Sequence, residues 1–127
     1  VGLSEESLYS LNGSEFLLSK CKKEEIEGFA KTCDAILFDY QIHGKTGGTG
    51  GQIPINIVLE SIKIAKTSNH NVEIFLAGGL NSEIIQKKKD ILKNVIDYVD
   101  VNSGVESAPG IKNPDQVDDL MRIRALI

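Results

Sequence analysis

Three apolar runs in this chain end in residues that can bind a ligand or move a proton, and glycines follow each of them. The first stretch is Ile36–Gly50, ILFDYQIHGKTGGTG, where an apolar run ends at Asp39 and leads to Gly47, Gly48, Thr49 and Gly50. A carboxylate at a strand end is held by a rigid backbone and can be aimed at a substrate. A loop almost free of side chains lets the backbone approach a ligand or fold over it. The second run, Glu73–Ala77, passes into AGGLN with Gly78 and Gly79. The third, Asp97–Val101, passes into DVNSGVE with Asp100, Ser103 and Gly104. Strands that all end in such loops predict one active-site face. His43 lies in the first loop as a lone histidine and reads as incidental.

The spacing of apolar residues predicts the elements that hold these ends. Val1–Gly2–Leu3 reads as the tail of a strand. Ser4 then caps a short helix, with Glu5 and Glu6 in its first turn, Leu8 and Leu11 one turn apart, and Gly13 at its end. Lys20–Lys31 reads as a helix that buries Ile26, Phe29 and Ala30. Ala35–Phe38 is a continuous apolar run, as in a strand covered on both faces. Pro54 opens a helix with Ile57, Val58, Ile62 and Ala65 at helical spacing. A turn at Asn69–Asn71 leads to a strand at Val72–Ala77. Asn81 caps a helix to about Asn94, with Ile84, Ile85, Ile91 and Leu92 inward and Lys87–Lys89 on the solvated face. Tyr98–Val101 is the last strand. Asn113 and Pro114 open a final helix with Val117, Leu120, Met121 and Ile123 inward. Alternation of this kind requires right-handed parallel crossovers. One βα unit every roughly 25–40 residues suits a (β/α)8 barrel, where binding residues gather at the C-terminal strand ends.

The 127 residues suit a single domain over 1–127. A net charge of -4 and a pI near 5.2 argue against a nucleic-acid surface. Apolar runs are too short to span a membrane, and the first residues do not read as a signal peptide. The lack of an initiator Met hints at a processed or truncated chain. Cys21 and Cys33 have no metal-ligand spacing and read as free thiols in a reducing, cytoplasmic setting.

Four motifs stand in order: LFD at Leu37–Asp39, GGTG at Gly47–Gly50, LAGGLNSE at Leu76–Glu83, and VDVNSGVESAPGIKN at Val99–Asn113. In order and spacing the chain resembles the C-terminal half of the phosphoribosylanthranilate isomerases, barrel enzymes of tryptophan biosynthesis. That family has a strand ending in LLD, a GGTGK or GGSGK loop, then L(A/S)GGLNPENV, then VDVSSGVE with PG soon after. Each motif alone recurs in many phosphate-binding barrels, whereas four in register are specific. The resemblance runs from about Val1 to the end and is clearest from Ala35. Gly51 stands where the family usually has Lys, Asn102 where a Ser is common, and Asn12–Lys23 is longer than the usual connection. The family's first four βα units have no counterpart here. They carry a lysine-x-cysteine-glycine motif whose cysteine is the family's general base, and neither Cys21 nor Cys33 matches it.

The resemblance implies an α/β fold: a parallel (β/α)8 TIM barrel, of which this chain holds the C-terminal half, about strands 5–8. It implies an Amadori rearrangement of N-(5-phosphoribosyl)anthranilate to 1-(o-carboxyphenylamino)-1-deoxyribulose 5-phosphate. Asp39 matches the general acid, and burial at the barrel mouth would favour its protonated form. As a plain loop residue it would instead cap a backbone N–H. Gly78, Gly79, Ser103 and Gly104 would present N–H groups to the substrate phosphate beside helix N-termini, or simply make tight turns. Asp100 matches a pocket aspartate near the substrate amine, or else is paired inside the barrel. Gly47, Gly48, Thr49 and Gly50 would close over the substrate. No metal or organic cofactor is implied. The expected partners are the phosphorylated small-molecule substrate and the missing N-terminal half, in the same polypeptide or in trans. Alternatives are a non-catalytic phosphate-binding half-barrel that hides its edges in a homo-oligomer, or another phosphate-binding barrel enzyme such as an epimerase or a tryptophan synthase α subunit.

Overall fold

The computed structural model describes residues 1–3, 8–10, 16–40 and 55–126. Four strands form one sheet in the order β1 (Gly2–Leu3), β4 (Ala35–Tyr40), β5 (Glu73–Ala77) and β6 (Tyr98–Val99), and every neighbouring pair is parallel. Helices α1 (Lys20–Thr32), α2 (Ile55–Ser68), α3 (Ser82–Leu92) and α4 (Pro114–Leu126) complete the alternation read from the sequence. None of the described helices is long and apolar enough to cross a membrane.

Side chains alternate across a strand, so one sheet face can be buried while the other is not. On one face Leu3, Ile36, Phe38, Tyr40, Ile74 and Leu76 join a core with Ile26 and Ala30 of α1, Ile57, Val58, Ile62 and Ala65 of α2, and Ile85 and Leu92 of α3. The other face carries Ala35, Leu37 and Asp39 of β4 and Phe75 of β5, none of them fully buried. The expectation that β4 is covered on both faces is therefore corrected: its burial alternates, because the described helices all pack against one side.

Polar contacts pin the sheet at its N-terminal end. Asp97 Oδ2 accepts from Ile74 N–H at 2.8 Å, and Lys66 Nζ donates to Val72 O at 2.6 Å. The side-chain amide of Asn69 donates to Ala30 O at 3.0 Å, and its oxygen accepts from Asn71 N–H at 3.1 Å. That side chain joins the α1 end to the predicted Asn69–Asn71 turn.

Several local expectations need correction. Leu8–Ser10 (β2) pairs antiparallel with Phe16–Leu18 (β3) where a short helix was expected. The helical spacing of Leu8 and Leu11 misled, because a strand partner further along the chain decides the outcome. Phe29, Ile91 and Met121, expected inward, are 45%, 43% and 51% exposed. In α1 and α3 the buried stripe is filled by Ile26 with Ala30, and by Ile85 with Leu92, so Phe29 and Ile91 fall off its edge. Met121 instead lines a cleft of about 630 Å³ with Ile85, Leu92, Val99 and Ile123. The last parallel strand is shorter than Tyr98–Val101, and a hairpin of β7 (Glu106–Ala108) and β8 (Ile111–Lys112) follows it.

Candidate active site

The parallel ladder places the candidate residues by register. Asp39 is paired with Gly2 on one side and Ala77 on the other, at the C-terminal end of the sheet. Its N–H donates to Val1 O at 2.9 Å, so its backbone belongs to the ladder and its side chain has a fixed starting direction. Asp100 lies one residue past the last β5–β6 pair, Leu76 with Val99, and its N–H donates to Leu76 O at 2.8 Å. Alternation along β6 puts Asp100 on the face that carries Asp39. The two carboxylates therefore share one row and flank Ala77. Asp39 is half-buried and Asp100 exposed.

One row below, Phe75 and Tyr98 are paired in register and their rings stack, with centroids 4.3 Å apart and planes 17° from parallel. This aromatic pair forms a floor beneath the carboxylate row. Sequence reading did not single it out, although an aromatic at the same position of two successive strands was a visible signal.

The glycine loops close the rim. Gly78 follows β5 at φ +92°, and a Cβ there would lie 2.2 Å from Tyr40 O and 2.8 Å from Asp39 Oδ1. Only a residue without a side chain lets the β5 loop cross the end of β4 so close to the carboxylate. Gly104, in the 3-10 turn Ser103–Val105, would meet Leu80 O at 1.9 Å if it carried a Cβ. The loops after β5 and β6 therefore touch. Asn81, also beside Gly104, caps α3 by accepting from Ile84 N–H at 2.8 Å, so the α3 N-terminus faces the same rim. Asp39, Gly78, Gly79, Asp100, Ser103 and Gly104 all fall at one end of the sheet. Gly47, Gly48, Thr49 and Gly50 lie outside the described residues, as do His43 and Gly51. Cys21 is exposed and Cys33 half-buried, both as free thiols, and both lie on or next to α1 away from the strand C-termini.

The sequence model of the N-(5'phosphoribosyl)anthranilate (PRA) isomerase family matches residues 14–122. The chain belongs to the PRA isomerase family. It is 35% identical over 89 residues to the N-(5'-phosphoribosyl)anthranilate isomerase of Methanothermobacter thermautotrophicus, covering 70% of this chain and 36% of that protein. It is 37% identical over 87 residues to the enzyme of the same name from Syntrophus aciditrophicus, covering 68% of this chain and 34% of that protein. To a tryptophan biosynthesis protein TrpCF of Helicobacter pylori it is 40% identical over 94 residues, 73% of this chain and 18% of that protein. The chain thus spans little more than a third of the length of the isomerases it matches. A crystal structure of a phosphoribosyl anthranilate isomerase from Thermus thermophilus superposes with a TM-score of 0.54 at 27% identity, over 79% of this chain and 44% of that one. The α/β fold with its parallel sheet is therefore that of a PRA isomerase.

Proposed function

We propose that this chain is the C-terminal half of a (β/α)8 barrel, about strands 5–8, and supplies the acid and the phosphate site of a PRA isomerase. The observation that carries this reading is the contact at Gly78, which brings the β5 glycine loop against the Asp39 carboxylate at the end of β4. A proton donor and a backbone anion site side by side match the demands of the reaction. The 5'-phosphate anchors the substrate, so the ribose ring oxygen can be held within reach of the acid.

In this reading Asp39 protonates the ring oxygen of N-(5-phosphoribosyl)anthranilate, and the ring opens to a Schiff base. A base from the N-terminal half removes the proton at C2'. The resulting enolamine tautomerises to the aminoketose, 1-(o-carboxyphenylamino)-1-deoxyribulose 5-phosphate. Asp100, in the same row, takes the substrate amine. Gly78, Gly79, Ser103 and Gly104 hold the phosphate with their N–H groups, and the α3 N-terminus adds its dipole. Gly47, Gly48, Thr49 and Gly50 close over the site. The reaction belongs to tryptophan biosynthesis, in the cytoplasm.

Turnover then requires the N-terminal half, in the same polypeptide or in trans. Mixing this chain with a separately expressed N-terminal half should restore turnover of the aminoaldose, and Asp39→Asn should abolish it while a reduced product analogue still binds. Near-normal turnover of Asp39→Asn would remove Asp39 from the acid role. No restoration under any mixing condition would favour a non-catalytic phosphate-binding piece.

A further inference from the structure

We propose that Lys112 and Glu106 are positioning residues for the phosphate site: together they clamp the Asn102–Val105 turn in the shape that presents Ser103 and Gly104. The proposal rests on the reading of that turn as part of the phosphate site.

Lys112 stands on β8, ten residues beyond Asn102 in sequence, yet its ammonium reaches back to the turn. Its Nζ donates to Asn102 O at 3.3 Å and to Asn102 Oδ1. It also lies 3.4 Å from Glu106 Oε1. An ammonium has three protons and no acceptor, and here three oxygens surround it. These contacts hold the ammonium against the turn, so in this proposal it acts on a ligand by shaping the turn. Glu106 is fixed in its own right: its side chain is only 10% exposed, and its Oε2 accepts from Gly110 N–H at 2.7 Å. Gly110, at φ +80°, makes the sharp turn that carries Lys112 back over Glu106. Asn113 N–H donates to Val105 O at 2.7 Å and closes the hairpin base. The clamped carbonyl of Asn102 also accepts from Val105 N–H at 3.2 Å, the bond that defines the 3-10 turn. Asn102 does not cap that turn with its side chain, which is given over to Lys112.

A sign test separates positioning from simple charge. Glu106→Gln removes a negative charge from the neighbourhood of an anion site, so long-range electrostatics alone would tighten phosphate binding. The clamp requires the opposite. This chain, labelled with 15N, is titrated with inorganic phosphate while the Ser103 and Gly104 amides are followed. Amide exchange at Val105 is measured in parallel, with Ile74 and Leu76 of β5 as controls for intact folding. Glu106→Gln and Lys112→Met should each weaken phosphate binding about fivefold and speed Val105 exchange to a similar degree, with β5 protection unchanged. Lys112→Arg should recover part of the affinity. Tighter or unchanged binding in Glu106→Gln would overturn the proposal. If the unaltered chain binds no phosphate, the phosphate reading falls on its own. Val105 exchange then decides the clamp: faster exchange in both variants upholds it, and unchanged exchange overturns it.

Discussion

A methyl group on Gly78 would sit 2.2 Å from Tyr40 O and 2.7 Å from Tyr40 N, with the backbone already at φ +92°. Neither obstacle is a flexible side-chain end, so the β5 loop would have to withdraw from β4. Gly78→Ala should cost about 2–4 kcal/mol in urea denaturation, from overpacking and left-handed strain together, and should weaken phosphate binding. Gly104→Ala meets Leu80 O at 1.9 Å and should part the two rim loops in the same way. Elsewhere at this scale, Lys87 Nζ donates to Glu83 Oε1 at 2.7 Å and holds the Glu83 carboxyl below its ordinary pKa, by hydrogen bond first and by charge second. The contribution of this pair to stability is therefore complete above the unfolded pKa of Glu83 and is lost as pH falls through the lower folded value. Lys87→Met should raise the Glu83 pKa in an NMR titration. The rim residues themselves were legible as a carboxylate and glycines after apolar runs. The Glu106–Lys112 clamp was not, because only the hairpin fold brings those two side chains to Asn102.

The elements that alternate strand and helix were legible because each carries its own apolar spacing, and some helices also carry a cap. Asn81 is a clear instance: its place before the apolar spacing marks it as the cap of α3, and it accepts from Ile84 N–H at 2.8 Å. Asn81→Ala should cost about 1 kcal/mol, read as a lower urea midpoint at unchanged m-value, and it should loosen the loop that Gly104 touches. The hairpins were less legible. Whether Leu8–Ser10 is strand or helix depends on pairing with Phe16–Leu18, and no local pattern states that. The β7–β8 hairpin had a Pro109–Gly110 turn signal, but its strands are too short to show alternation. Phe29 and Ile91 show the limit of helical periodicity: it finds a stripe but not which edge residue the core accepts.

At the scale of the whole molecule, the described helices pack on one face of the parallel sheet, while the other face presents Leu37, Phe75 and Tyr98 in one register row. Leu37 and Tyr98 are 37% and 48% exposed. Parallel sheets are normally covered on both sides. In the proposed barrel this row is interior packing, completed by the N-terminal half. Mixing with that half should therefore protect β4 and β5 amides from exchange, and Leu37→Lys should block this protection while the chain's own helical circular dichroism is kept. If Leu37→Lys leaves assembly intact, the row is not the contact. The strand order was legible from the alternation of elements, whereas the one-sided cover by the described helices was not, since a continuous apolar run such as Ala35–Phe38 looks the same whether one side or both are covered.

The ties of Asp97 to Ile74, of Lys66 to Val72 and of Asn69 to Ala30 lie at the opposite end of the strands from Asp39 and Gly78. Substitutions there change how firmly the scaffold holds without touching a reacting group. The two ends can therefore be altered separately, and a loss of robustness caused by a change at the chemical end can be repaired at the other.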